Sequence, residues 1–156
     1  MAKLKAKQQT FNPDRGPVFS VRFGISLLLI AVGIAWIVFY YVGVRAPDPT
    51  TEVPDPSMTG PGFMRDLAGW NYLIGFGIFF LGLIVSAHPS TPLGRGRGVV
   101  VGMLGCFLIG LAWICVFYAI AQDTSSVPVF NDLDQKNLIV GIAFMAVGFS
   151  FATRWE

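Results

Sequence analysis

Charge is scarce in this chain. Only 13% of its 156 residues are Asp, Glu, Lys or Arg, whereas 54% are hydrophobic, and the mean hydropathy is +0.63. Soluble domains carry about 25% charged residues. A chain this short has no interior large enough to hide so much apolar surface from water, so lipid is the solvent its composition calls for. The formal net charge of +2 is too small to imply a nucleic-acid partner.

Reactive side chains are scarce too. Histidine occurs once, at His88, and cysteine twice, at Cys106 and Cys115. The cysteines share one apolar run nine positions apart. That is about 13.5 Å along a helix, too far for a disulfide, so both read as small buried hydrophobes. His88, at a helix end before Pro89, reads as a solvated side chain. No metal-ligand spacing and no glycine-rich phosphate loop occurs. No catalytic constellation can be assembled, and the chain is expected to be non-enzymatic, without metal or cofactor.

Four apolar runs are present, Phe23 to Val44, Tyr72 to Ala87, Val99 to Ala121 and Leu138 to Thr153, and none contains an ionisable Asp, Glu, Lys, Arg or His. Pumps and ion-coupled carriers place such groups at depth, so transport is disfavoured. The first and third runs make helices of about 33–34 Å, enough for hydrocarbon about 30 Å thick. The second and fourth reach only about 24 Å. They are expected to begin earlier, within 63–71 and 129–137, or to thin the bilayer; a re-entrant course is the alternative. The first run is too long for a cleaved signal sequence and reads as a signal anchor.

The charges orient these spans. Lys3, Lys5, Lys7, Arg15, Arg22, Arg95, Arg97 and Arg154 make eight of the eleven basic residues, and they fall in the leader, the middle connection and the tail. The other two connections hold Asp48, Glu52, Asp55, Asp66, Asp123, Asp132 and Asp134 against Arg45, Arg65 and Lys136. Basic flanks stay in the cytoplasm. The expected fold is therefore an all-α integral membrane protein of four transmembrane helices, both termini inside. Its parts are a basic leader (1–22), a first hairpin with a proline-rich outer loop (23–87), a cytoplasmic linker (88–98) and a second hairpin (99–156). The leader is a topology signal, or else a contact for anionic lipid or a cytoplasmic protein.

The hairpins repeat. Gly33-Ile34-Ala35-Trp36-Ile37 matches Gly110-Leu111-Ala112-Trp113-Ile114 at a shift of 77. Asp66-Leu67, Asn71, Gly75 and Gly82 match Asp132-Leu133, Asn137, Gly141 and Gly148 at a shift of 66. Two spans per unit make the repeat parallel rather than inverted. Gly75, Gly82 and Ser86 share one helix face, as do Gly141, Gly148 and Ala152. Such small-residue faces let helix backbones approach closely. They serve packing within the bundle or docking of another helix, and self-association through them stays open. Gly94, Gly98 and Gly102 form a similar series. Trp36 and Trp113 lie mid-run as packing anchors. Trp70, Asn71 and Tyr72 at one end, and Arg154 and Trp155 at the other, read as anchors in the membrane interface.

These residues carry a family resemblance. Trp70-Asn71-Tyr72 followed by Ile74, Phe76, Gly82 and Leu83 resembles the second transmembrane helix of the actinobacterial cell-division protein family CrgA. Ile142-Ala143-Phe144-Met145, Gly148 and the closing Arg154-Trp155 are similar to it as well, and the Gly-x-x-Trp pairs at Gly33/Trp36 and Gly110/Trp113 resemble that family's first helix. Members usually carry a single hairpin. Here Trp-Asn-Tyr is complete only in the first unit, and Arg-Trp closes only the second. The resemblance implies a divisome component of the bacterial plasma membrane, enriched at the septum. It would bind FtsZ-ring-linked and septal peptidoglycan-synthesis proteins without catalysing a reaction, docking partner helices on the faces around Gly82 and Gly148. An accessory subunit of a respiratory or secretion complex is the alternative, and a minimal transporter a more distant one.

Overall fold

The computed structural model describes residues 19–45, 60–120 and 127–153. Among them are six helices and no strand: α1 (Val21–Gly43), α2 (Gly62–Leu67), α3 (Trp70–Ser86), α4 (Arg97–Ile120), α5 (Phe130–Leu133) and α6 (Lys136–Ala152). α1 starts where Ser20, in extended conformation, accepts the Phe23 N–H on its hydroxyl at 3.2 Å, which satisfies one of the free donors of a helix start.

α1 and α4, with 23 and 24 residues, are long and apolar enough to cross a membrane. Only 22% of the most apolar stretch of each is buried, unlike the core helix of a water-soluble fold. α3 and α6 are shorter apolar helices of 17 residues, about 25 Å long.

The two shorter helices begin ahead of their apolar runs, at Trp70 and Lys136, inside the stretches 63–71 and 129–137, but by two residues only. Residues 62–67 and 130–133 do coil, but as the separate helices α2 and α5. Ala68 (φ 43°) and Asp134 (φ 46°) occupy equivalent places in the repeat and adopt a left-handed backbone. A right-handed helix cannot run through such a residue, so α3 and α6 start only two residues before their apolar runs.

Within each unit the long helix packs antiparallel to the shorter one, α1 on α3 and α4 on α6, and glycine sets the contact. A Cβ on Gly33 would lie 2.7 Å from both the Gly75 carbonyl oxygen and the Phe79 nitrogen, and one on Gly110 would lie 2.6 Å from the Gly141 carbonyl oxygen. In return Gly75 receives Ile37, and Gly141 receives Ile114. The backbones touch because neither side has a side chain to hold them apart. Further along, Gly82 faces Ile30 and Ser26 of α1, and Gly148 faces Met103, Cys106 and Phe107 of α4.

The units meet through α3 and α6. Phe79 and Phe80 set their rings edge-on to Phe144 at 5.7 and 4.9 Å, and Phe76 meets Trp113 in the same way at 6.0 Å. Trp113 also stacks on Phe130 of α5 at 4.4 Å, as Trp36 lies 6.3 Å from Phe63 of α2. The mid-run tryptophans therefore brace the short helices. At the far end, residues 88–98 fold into a tight knot around buried Thr91, whose hydroxyl reaches the Ser86 and His88 carbonyls. His88 is tied to Arg22 and Ser90 rather than solvated alone. Gly94 sits in this knot ahead of α4, so it does not extend the glycine series along that helix.

Candidate functional site

The distinctive Trp70-Asn71-Tyr72 triplet opens α3, and its members do three different things. Asn71 is fully buried, and its side-chain amide donates to the carbonyls of Met64 (2.7 Å) and Ala68 (2.8 Å). The Ala68 carbonyl also accepts the Asn71 backbone N–H at 3.1 Å, so the side-chain amide adds a second bond there and ties Met64 of α2 to the start of α3, each bond contributing about 0.5–1.5 kcal/mol. Asn137 repeats the arrangement on Phe130 (2.9 Å) and Asp134 (2.8 Å). Both asparagines are staples that hold the short helix against the long one.

Tyr72 is 2% exposed and donates its hydroxyl to Asp132 Oδ2 at 2.5 Å. The other oxygen of that carboxylate takes Arg45 Nη1, also at 2.5 Å. The Arg45 guanidinium lies over the Tyr41 ring, 4.4 Å from its centroid, and Tyr40 stands edge-on to Tyr72 at 5.1 Å. The hydrogen bond to Asp132 raises the Arg45 pKa further, against a smaller opposing effect of burial. This rim cluster joins the first unit (Arg45, Tyr72) to the second (Asp132). The second unit has no twin of it: Leu138 stands where Tyr72 would repeat, and Asp66, the counterpart of Asp132, is exposed.

Beside the cluster, α3 and α6 diverge to leave a cleft of about 530 Å³. Its walls include Trp70, Leu73 and Gly77 on one side and Lys136, Ile139 and Ala143 on the other. Lys136 is the one charged residue in the lining. Trp70, the third member of the triplet, is two-thirds exposed at its mouth. Among the described residues no group of His, Cys, Asp or Glu could hold a metal ion.

Comparison with known proteins gives this arrangement a context. The family described as Cell division protein CrgA matches residues 2–88 and 92–156, nearly the whole chain in two stretches. The chain belongs to the CrgA family. The Cell division protein CrgA of Streptomyces avermitilis is 45% identical over 67 residues, 43% of this chain and 75% of that relative. The one from Corynebacterium glutamicum (strain R) is 38% identical over 63 residues, 40% of this chain and about half, 53%, of the relative's length. No solved structure matches the chain. CrgA-family membership is what Trp70-Asn71-Tyr72 and the glycine-tryptophan pairs implied.

In this CrgA-family chain the glycine faces lie inside. Gly75 and Gly82 are buried against α1 and Gly141 and Gly148 against α4, while Ser86 is buried and Ala152 half-buried. At Gly82 and Gly148 the chain's own helices α1 and α4 fill these faces. Of the interface anchors, Trp70 is exposed, Asn71 and Tyr72 are interior, and Arg154 and Trp155 lie outside the described residues. The rim cluster and the cleft were not expected from the sequence. The available signal for the cluster was one arginine, Arg45, closing an apolar run that leads into a connection rich in acids.

Proposed function

We propose that this chain works in cell division as a non-enzymatic membrane adaptor. It crosses the plasma membrane four times with both termini in the cytoplasm, gathers at the septum, and helps hold FtsZ-ring-linked and septal peptidoglycan-synthesis proteins together. The match to the CrgA family over both halves carries this reading. Two features of the chain support the membrane placement. The long apolar helices α1 and α4 expose most of their surface, including Leu28, Val38, Leu108 and Leu111, as lipid-facing helices do. Eight of eleven basic residues fall in the leader, linker and tail, which favours a cytoplasmic location for all three.

In this scheme α2 and α5 lie at the outer surface, where Trp70 sits in the interface. Arg154 and Trp155 set the depth on the inner side. With the glycine faces occupied, partner helices meet the outward flanks of α1 and α4, and the basic leader reaches cytoplasmic proteins or anionic lipid.

A fluorescent fusion expressed in an actinobacterium tests the proposal, together with crosslinking of partners from membranes. A band at the septum and recovery of septal synthesis proteins are expected. An even signal around the cell, with no division protein recovered, would reject the adaptor reading in favour of an accessory role elsewhere.

A further inference from the structure

The α3–α6 cleft has a shape and a charge that together indicate its occupant. From Trp70 to Phe80 its α3 wall runs about 15 Å, close to the depth of one leaflet in a hydrocarbon core about 30 Å thick. It then closes: the Phe80 ring meets Phe144 edge-on at 4.9 Å, and below it Phe80 and Leu83 pack into the cluster that holds Val147 and Phe151. A partner's transmembrane helix would have to continue past this plug. A single acyl chain ends there.

The walls are apolar along their length, and the cation stands only at the open end. Lys136 occupies the first turn of α6, where the helix dipole disfavours a positive charge, so its placement does nothing for the helix. Its ammonium reaches across to Gly69, where a Cβ would lie 3.8 Å from Nζ. Lys136 thus bridges the starts of α3 and α6, whose dipoles add to the positive field at the mouth. Among the described residues no acid lines the cleft beside it: Arg45 and Tyr72 engage Asp132, while Asp134 and Asp66 are exposed and outside the lining. The floor is open because Gly77 and its repeat partner Ala143 are small. A Cβ on Gly77 would meet nothing within 4 Å.

We infer that this cleft binds one acyl chain of an anionic phospholipid from the outer leaflet, with its phosphate held by Lys136 and its glycerol region beside Trp70. The inference rests on the membrane placement proposed above but not on the adaptor role.

The test uses the full chain in vesicles of equal parts phosphatidylglycerol and phosphatidylcholine. Either lipid carries a photoreactive diazirine in its acyl chain, and adducts are mapped by mass spectrometry. Phosphatidylglycerol should label residues 73–80 and 139–143 about fivefold more than phosphatidylcholine, the preference one lysine near a membrane surface confers. Lys136→Gln should abolish the preference there while labelling persists. Gly77→Leu, which fills the cleft without a backbone clash, should remove labelling by both lipids there and leave labelling along α1 and α4 unchanged. Equal labelling by the two lipids in the wild type would overturn the inference, as would a preference that survives Lys136→Gln. Cleft labelling no stronger than that of the flanks of α1 and α4 would mean annular lipid only and overturn it too. Labelling nowhere in the chain would reject the membrane placement itself.

Discussion

Tyr72 and Asp132, sixty residues apart, share a 2.5 Å hydrogen bond that ties the first unit to the second. The bond has a charged acceptor and lies mostly out of water, so Tyr72→Phe should cost about 1.5–3 kcal/mol. The ion pair on the same carboxylate has side chains that are 22% and 24% exposed. Screening leaves such pairs about 0–1 kcal/mol, so Arg45→Gln should cost less than Tyr72→Phe. Reversible unfolding in mixed detergent micelles ranks the two. If Arg45→Gln proves the more damaging, the ion pair rather than the tyrosine holds the rim together.

The two asparagine staples should behave as twins. Asn71→Ala and Asn137→Ala each remove two side-chain hydrogen bonds and, at about 0.5–1.5 kcal/mol per bond, should each cost about 1–3 kcal/mol. They share no hydrogen-bond partner, so the double variant should equal the sum within about 0.5 kcal/mol. A larger departure in the same unfolding measurement would mean that the two short helices are coupled through the rim.

Glycine substitutions should separate into two groups. Gly33→Ala and Gly110→Ala push a methyl into opposing backbone and should destabilise by about 1–3 kcal/mol. Gly105→Ala meets nothing within 4 Å and gains helix propensity, so it should be neutral or stabilising by up to about 1 kcal/mol. Comparable losses at all three positions would mean that helix contact is not set by these glycines.

The proposed topology is checked by reporter enzymes. A phosphatase active only outside the cytoplasm should be active when fused after Thr50 and silent after Gly96. The same activity at both points would overturn the alternating course of the helices.

The long helices and their glycine contacts were legible because both leave local marks: uncharged runs of helical length, and small residues recurring at fixed shifts. Gly33 against Gly75 in the first unit and Gly110 against Gly141 in the second form the same contact. The breaks before α3 and α6 were harder to see, since Ala68 is not a residue type that signals a turn, and Asp134, which is one, stands among other polar residues at the end of a connection. Their mark was the repeated Asn71 and Asn137, whose amides compensate for the break, but an asparagine beside tryptophan and tyrosine also reads as an interface anchor. The rim cluster joins Arg45, just past the end of α1, to Tyr72 of α3 and Asp132 of α5, and the cleft arises from the angle between two helices. Neither leaves a mark within a single stretch of sequence.

Leu138 in the place of Tyr72 has one further consequence. Two identical chains meeting about an axis must present the same side chain twice, so a change that strengthens one edge is imposed on the other. Carrying both copies on one polypeptide lifts that constraint, and the 88–98 tether keeps them together at high effective concentration even where the bonds between them are few. One half is then free to specialise in holding the assembly closed while the other diverges toward a different task.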